Sequence, residues 1–125
     1  MRKTKVIYAD DDELCHFFMD SILDKDLYSL KNVYNGFEMI KELLREEYDL
    51  IITDLEMPEL DGLEAIQIIR KSKFLGGIPI MVVSSIAHGD LVKEIITAGA
   101  DDCICKPFME KDLLRKIENL VGVFV

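Results

Sequence analysis

Short apolar runs alternate with amphipathic ones five times along this chain, with little sequence left over between them. The apolar runs are Lys5 to Ala9, Tyr28 to Tyr34, Leu50 to Ile52, Ile78 to Val83 and Asp101 to Cys105. Leu50 to Ile52 and Ile78 to Val83 show no polar alternation, as expected of strands buried on both faces. Tyr28 to Tyr34 is more polar and suits a sheet edge. The intervening stretches repeat apolar residues at helical spacing. The stripes are Leu14, Phe17, Phe18 and Ile22, then Phe37, Ile40, Leu43 and Leu44, then Leu63, Ile66 and Ile69. Leu91, Ile95 and Ile96, and finally Leu113, Leu114, Ile117, Leu120 and Val121, complete the set. Strands alternating with helices through short connections predict an α/β fold. It is a five-stranded parallel sheet flanked by five helices and joined by right-handed crossovers.

The connections carry matching signals. Asp11 or Asp12 can cap the first helix, since a short carboxylate accepts its free N–H groups. Asn35-Gly36 turns the chain, Pro58 stops the third strand from continuing, and Gly62 opens the third helix. Gly76-Gly77 breaks the pattern, Gly89-Asp90 begins the fourth helix, and Gly99 ends it at a position suited to a left-handed cap. At 125 residues, with no linker or low-complexity segment, residues 1–125 are expected to form one domain. The apolar ending Val121-Gly122-Val123-Phe124-Val125 suggests either packing on the body or a cut in a longer chain.

Composition narrows the function. A net charge of -9 opposes non-specific nucleic-acid binding, which needs a basic face, and suits a chain that binds cations or basic partner surfaces. The three cysteines show no CxxC spacing and read as buried free thiols in a reducing cytosol. Cys103 and Cys105 share one strand face, but His16 and His88 lack the spacing of zinc ligands. The basic start at Arg2, Lys3 and Lys5 is too soon followed by acid to be a signal peptide. No apolar run approaches the roughly 18 residues that a membrane span requires.

In such a sheet all strand C-termini lie on one edge, where sites form. The first strand delivers Asp10 and Asp11 there, the third Asp54, the fourth Ser84 and the fifth Lys106. Taken singly, the acids could be caps, Ser84 a turn residue and Lys106 a surface charge. Together they place three carboxylates, a hydroxyl and an ammonium on one rim, where function concentrates. Crowded carboxylates raise at least one pKa unless a cation sits among them. Oxygen-only donors favour Mg²⁺, and a carboxylate can act as a nucleophile toward phosphorus. An ammonium would hold the spread charge of a phosphoryl group in transfer. The residues therefore suggest a Mg²⁺-assisted phosphoryl acceptor.

The sequence resembles the receiver domain of bacterial two-component response regulators. The resemblance runs through Val6-Ile7-Tyr8-Ala9-Asp10-Asp11, Tyr48-Asp49-Leu50-Ile51-Ile52-Thr53-Asp54, Met57-Pro58 and Asp61-Gly62. It continues through Ser84-Ser85, Gly99-Ala100-Asp101-Asp102 and Lys106-Pro107-Phe108, and so covers nearly the whole chain. It implies the flavodoxin-like strand order 2-1-3-4-5. It implies Asp54 as phosphoacceptor, Mg²⁺ bound by Asp11 directly, by Asp10 through water and by the Glu56 backbone carbonyl. Ser84 takes the place of the switch hydroxyl, Lys106 that of the phosphoryl-binding lysine, and the bond before Pro107 is often cis in the family. Asp12 falls one place beyond the acid pair and reads as a cap or an outer charge.

Two positions depart from the family pattern. Cys103 stands three residues before the lysine, where an aromatic is usual. A thiol cannot perform the aromatic rotation, so a conformational signal is expected to lean on the loop after Ser84 and on the fourth helix. Glu56 stands two residues after the acceptor, where its side chain overlooks the site. The implied partners are a sensor histidine kinase or histidine phosphotransfer protein and a downstream effector protein, in the cytoplasm, without nucleic acid or membrane. An aspartate-nucleophile phosphohydrolase is a contrasting reading. It would show D-x-D after the first strand, whereas Asp54-Leu55-Glu56 follows the third. A docking module that no longer accepts phosphate is another, set against retention of all five site residues.

Overall fold

The computed structural model describes residues 2–85 and 89–122. Its elements run β1 (Thr4–Ala9), α1 (Glu13–Ile22), β2 (Tyr28–Val33), α2 (Gly36–Arg45) and β3 (Leu50–Asp54). They continue with α3 (Gly62–Lys71), β4 (Ile80–Ser84), α4 (Gly89–Ala98), β5 (Asp102–Cys105) and α5 (Glu110–Val121). All four strand pairings are parallel, in the order β2-β1-β3-β4-β5. The polar second strand is an edge, as its composition requires.

The sheet divides the core by the period of the strand. Ile7, Ile51 and Val82 face one side, where Met39, Leu43, Ile66, Ile69 and Ile95 of α2, α3 and α4 cover them. Val6, Leu50, Ile52 and Met81 face the other, under Met19 and Ile22 of α1 and Leu113 and Ile117 of α5. Full burial of each such side chain contributes about 1.5–3 kcal/mol. Strand and helix starts follow local chemistry. Asp12, Asn35 and Asp61 cap α1, α2 and α3, each accepting a backbone N–H with its side chain. Gly99 ends α4 at φ 124, in the left-handed region that glycine tolerates.

Helix faces differ from the stripes in the sequence in α1 and α2, and in α4 Ile96 of the stripe is exposed while Ile95 is buried. In α1, Leu14 and Phe17 are each 77% exposed and Phe18 is exposed too, while His16, Met19 and Ile22 turn inward. His16 tolerates burial because both ring nitrogens find partners, Asn32 Oδ1 at 2.6 Å and the Asp10 carbonyl at 2.7 Å. In α2, Phe37 and Leu44 are exposed and Met39 and Leu43 are buried. Glu42 lies beside them, held by Arg45 and the Tyr48 hydroxyl. The thiols also differ from expectation. Cys105 is exposed and Cys15 and Cys103 are half-buried, because β5 is an edge strand and Cys15 lies at the rim of a cavity. Residues 86–88, which include most of the loop after Ser84, and residues 123–125 of the apolar ending lie outside the described residues.

Candidate functional site

The pairing register builds the site. Ala9 is opposite Thr53, so Asp10 and Asp54 leave neighbouring strands at the same level. One turn of chain after Asp54, Gly62 donates its backbone N–H to the Leu55 carbonyl at 2.8 Å. A Cβ at Gly62 would stand 2.0 Å from the Asp54 carbonyl oxygen, so only glycine lets α3 begin this close to the acid. On the other flank, the Lys106 N–H donates to the Ser84 carbonyl at 2.8 Å and ties the end of β5 to the end of β4. The Lys106–Pro107 bond is cis, as the resemblance implies.

Asp10, Asp11 and Asp54 each place a carboxylate oxygen within 4.8 Å of the others. Asp10 is buried, Asp11 exposed and Asp54 half-buried. Lys106 reaches between them. Its Nζ donates to Asp10 Oδ2 at 2.8 Å and to Asp54 Oδ2 at 3.4 Å. The Leu55 N–H holds Asp54 Oδ1 at 2.7 Å. Above the acids opens a cavity of about 680 Å³, which Glu56, Asp61 and Ser85 help to line.

Burial and charge act on these groups in opposite directions. Burial pushes the Asp54 carboxyl up, Lys106 opposes this, and the neighbouring Asp10 charge pushes it up further; the net shift is upward. Burial also pushes Asp10 up, but hydrogen bonds from Lys106 and Tyr8 outweigh it and hold Asp10 below the ordinary value. Burial lowers Lys106, yet its bond to Asp10 and the charges of both acids raise it well above the usual lysine range. The ammonium is therefore a fixed positive charge between two carboxylates. Three oxygen donors this close, one of them destabilised as an anion, suit a small hard cation and an incoming phosphoryl group.

The expected residues thus converge, with one nuance at the fourth strand. Ser84 is buried at the end of β4, while the exposed Ser85 lines the cavity. Glu56 is exposed at the cavity wall, in keeping with a side chain that overlooks the acids. Asp12 caps α1, accepting from the Leu14 N–H at 2.9 Å. Three neighbours escape a sequence reading. Cys15 Sγ lies 3.5 Å from Lys106 Nζ and Ser85 joins the rim. Tyr8 donates its hydroxyl to Asp10 Oδ2 at 2.5 Å. Tyr8 does leave a trace, as a phenol among the aliphatic Val6, Ile7 and Ala9, and Cys15 lies one helical turn after Asp11.

Comparison with known proteins agrees with this geometry. The chain is 29% identical over 120 residues to the Haemophilus influenzae homolog of the transcriptional regulatory protein CpxR, covering 94% of this chain and 50% of that protein. It is 29% identical over 117 residues to the Halobacterium salinarum chemotaxis protein CheY, covering 94% and 96%. The chain spans about half the length of the curated transcriptional regulators it matches. Among solved structures, the fold superposes with a TM-score of 0.89 on a Pseudomonas aeruginosa sensor histidine kinase receiver domain, at 24% identity, covering 98% of this chain and 100% of that one. That receiver domain has a magnesium ion coordinated in its active site cleft. The family profile of the response regulator receiver domain matches residues 6–118. With a parallel sheet in the order β2-β1-β3-β4-β5 and an acid cluster at its strand ends, the chain belongs to the response regulator receiver domain family of two-component signalling.

Proposed function

We propose that residues 1–125 act as one receiver unit in which Asp54 takes a phosphoryl group from the phosphohistidine of a sensor histidine kinase or histidine phosphotransfer protein. The observation that carries this is the Asp54 carboxylate, clustered with Asp10 and Asp11 within 4.8 Å and facing Lys106 at 3.4 Å. In the transfer an Asp54 oxygen attacks phosphorus, the P–N bond breaks, and the imidazole leaves with its electron pair. Lys106 neutralises charge on the phosphoryl oxygens, and the Leu55 N–H fixes the other carboxylate oxygen. Asp10, Asp11, Asp54 and the Glu56 backbone carbonyl would hold Mg²⁺, which neutralises the remaining charge when bound. In this way the chain assists its own phosphorylation. Water attacking the same phosphorus then returns the Asp54 carboxylate and free phosphate, with Glu56 at the edge of the water's approach.

The exposed Leu14, Phe17 and Phe18 lie on α1, whose cap Asp12 and first-turn Cys15 line the cavity, and offer apolar area that a donor protein could contact. Phosphorylation changes affinity for an effector protein through the different contacts of the phosphoryl in two states. Ser84 is the hydroxyl we assign to that switch. The three free thiols suit the reducing cytoplasm. Among the described residues no helix is long and apolar enough to cross a membrane.

The experiment is intact-mass labelling with acetyl phosphate and Mg²⁺. One phosphoryl adduct on the native chain, absent from Asp54→Ala, is the expected result. An unlabelled native chain, or equal labelling of the variant, would overturn the assignment.

A further inference from the structure

Tyr8 is the odd residue of β1. It is 1% exposed, between the aliphatic Ile7 and Ala9, and a phenol so buried must place its hydroxyl. It does so on Asp10 Oδ2, at 2.5 Å. Tyr8 and Asp10 are two residues apart, so their side chains leave the strand on the same face. Lys106 Nζ takes the same oxygen at 2.8 Å, and the Asp12 N–H takes Oδ1 at 2.9 Å. A carboxylate offers about four acceptor positions, so these three donors fix its plane and leave one position, on Oδ1. Behind the phenol, the His16 ring packs on Tyr8 at 4.8 Å and its Nε2 meets the Asp10 carbonyl at 2.7 Å. Asp10 is thus braced from beneath at both side chain and backbone.

We infer that Tyr8 is a positioning residue of the cation site, its phenol committing Asp10 Oδ2 to the protein and aiming the remaining Oδ1 position at the divalent cation. Without the hydroxyl only Lys106 on Oδ2 and the Asp12 N–H on Oδ1 remain, and the carboxyl group is freer to turn about its Cβ–Cγ bond. A group that orients a ligating carboxylate typically changes metal affinity by about 10- to 100-fold. This inference rests on the reading of Asp10, Asp11 and Asp54 as a Mg²⁺ site.

The test is calorimetric titration of Mg²⁺ into the native chain, Tyr8→Phe and Tyr8→Leu, with melting temperature measured on each. Tyr8→Phe keeps the ring and removes only the hydroxyl, whereas Tyr8→Leu also changes the packing. The expected result is a Mg²⁺ Kd at least about tenfold weaker in both variants, by a similar factor, although their melting temperatures differ. A purely structural role would lower melting temperature and leave the Kd alone. A Kd in folded Tyr8→Phe within twofold of native, or tighter, would overturn the inference. So would a loss confined to Tyr8→Leu. A native chain that binds no Mg²⁺ would instead remove the cation site itself, and the inference with it, while acetyl phosphate labelling of Asp54 reports on the acceptor separately.

Discussion

As the proposed phosphoacceptor, Asp54 answers two demands that pull against each other. Reactivity needs a carboxylate half out of water beside another acid, and folding disfavours that arrangement. Burial and the Asp10 charge raise its pKa above the ordinary 3.8, so the fold prefers the neutral acid and the ionised form subtracts stability at neutral pH. Removing the charge should therefore help the fold. Asp54→Asn is expected to raise the melting temperature of the Mg²⁺-free protein at pH 7. The gain should fade as pH falls through the raised folded value, and should vanish only below the ordinary carboxylate value, where Asp54 is neutral in both folded and unfolded chains. Melting curves from pH 7 down to pH 4 check this, and a variant less stable than native at pH 7 would contradict it. Asp10 has the opposite sign. Its pKa is held down, so its contribution is present above the ordinary value and is lost as pH falls through the depressed folded one. Asp54, Asp10, Asp11 and Lys106 were all legible in the sequence, because each ends a recognisable strand. The phenol beneath Asp10 and the thiol beside Lys106 were not, since contact across a strand face or a helix turn depends on where each side chain points.

Helix α1 shows how far periodicity reaches. The helix itself is legible from its spacing and its Asp12 cap, yet the largest apolar side chains in it face outward. A stripe identifies a helix without saying which stripe meets the sheet when several residues compete. Here the connection from Asp10 and the polar partners of His16 set the rotation. The consequence is measurable. Met19→Ala, at a 1% exposed position, should destabilise by about 2–5 kcal/mol in urea unfolding. Phe17→Ala, at a 77% exposed position, should stay within about 0.5 kcal/mol of native. Equal losses would show that α1 is rotated from the orientation described. The same surface is the one we expect a phosphodonor to touch, so Phe17→Ala should slow transfer from a donor protein and leave labelling by acetyl phosphate unchanged.

At the scale of the whole molecule, the proposed Mg²⁺ site would couple stability to cation supply. A ligand that binds only the folded state adds RT ln(1 + [L]/Kd), about 2.7 kcal/mol at a hundredfold excess over Kd. Saturating Mg²⁺ should therefore raise the melting temperature of the native chain by several degrees, and chelation should reverse the rise. Asp11→Ala, which removes an exposed carboxylate without disturbing the core, should largely abolish it. A rise of equal size in that variant would place the cation elsewhere. Distant from the site, Arg70 fastens α3 to the chain around β4 and β5, donating to the Gly76, Ile78 and Gly99 carbonyls and to Asp101. Nothing in the spacing of the sequence announces this clamp.

By itself the sequence determined the order of elements, the parallel sheet and the five residues at its C-terminal edge. Strand period, helix period and turn residues are local properties, and right-handed crossovers leave few ways to assemble them. Only the tertiary structure decided which helix faces are covered, that Lys106 stands nearer Asp10 than Asp54, and that Asp10 is held from beneath by Tyr8 and His16. Those are distances between residues far apart in the chain or on a common face, and packing the whole sheet against its helices is what sets them.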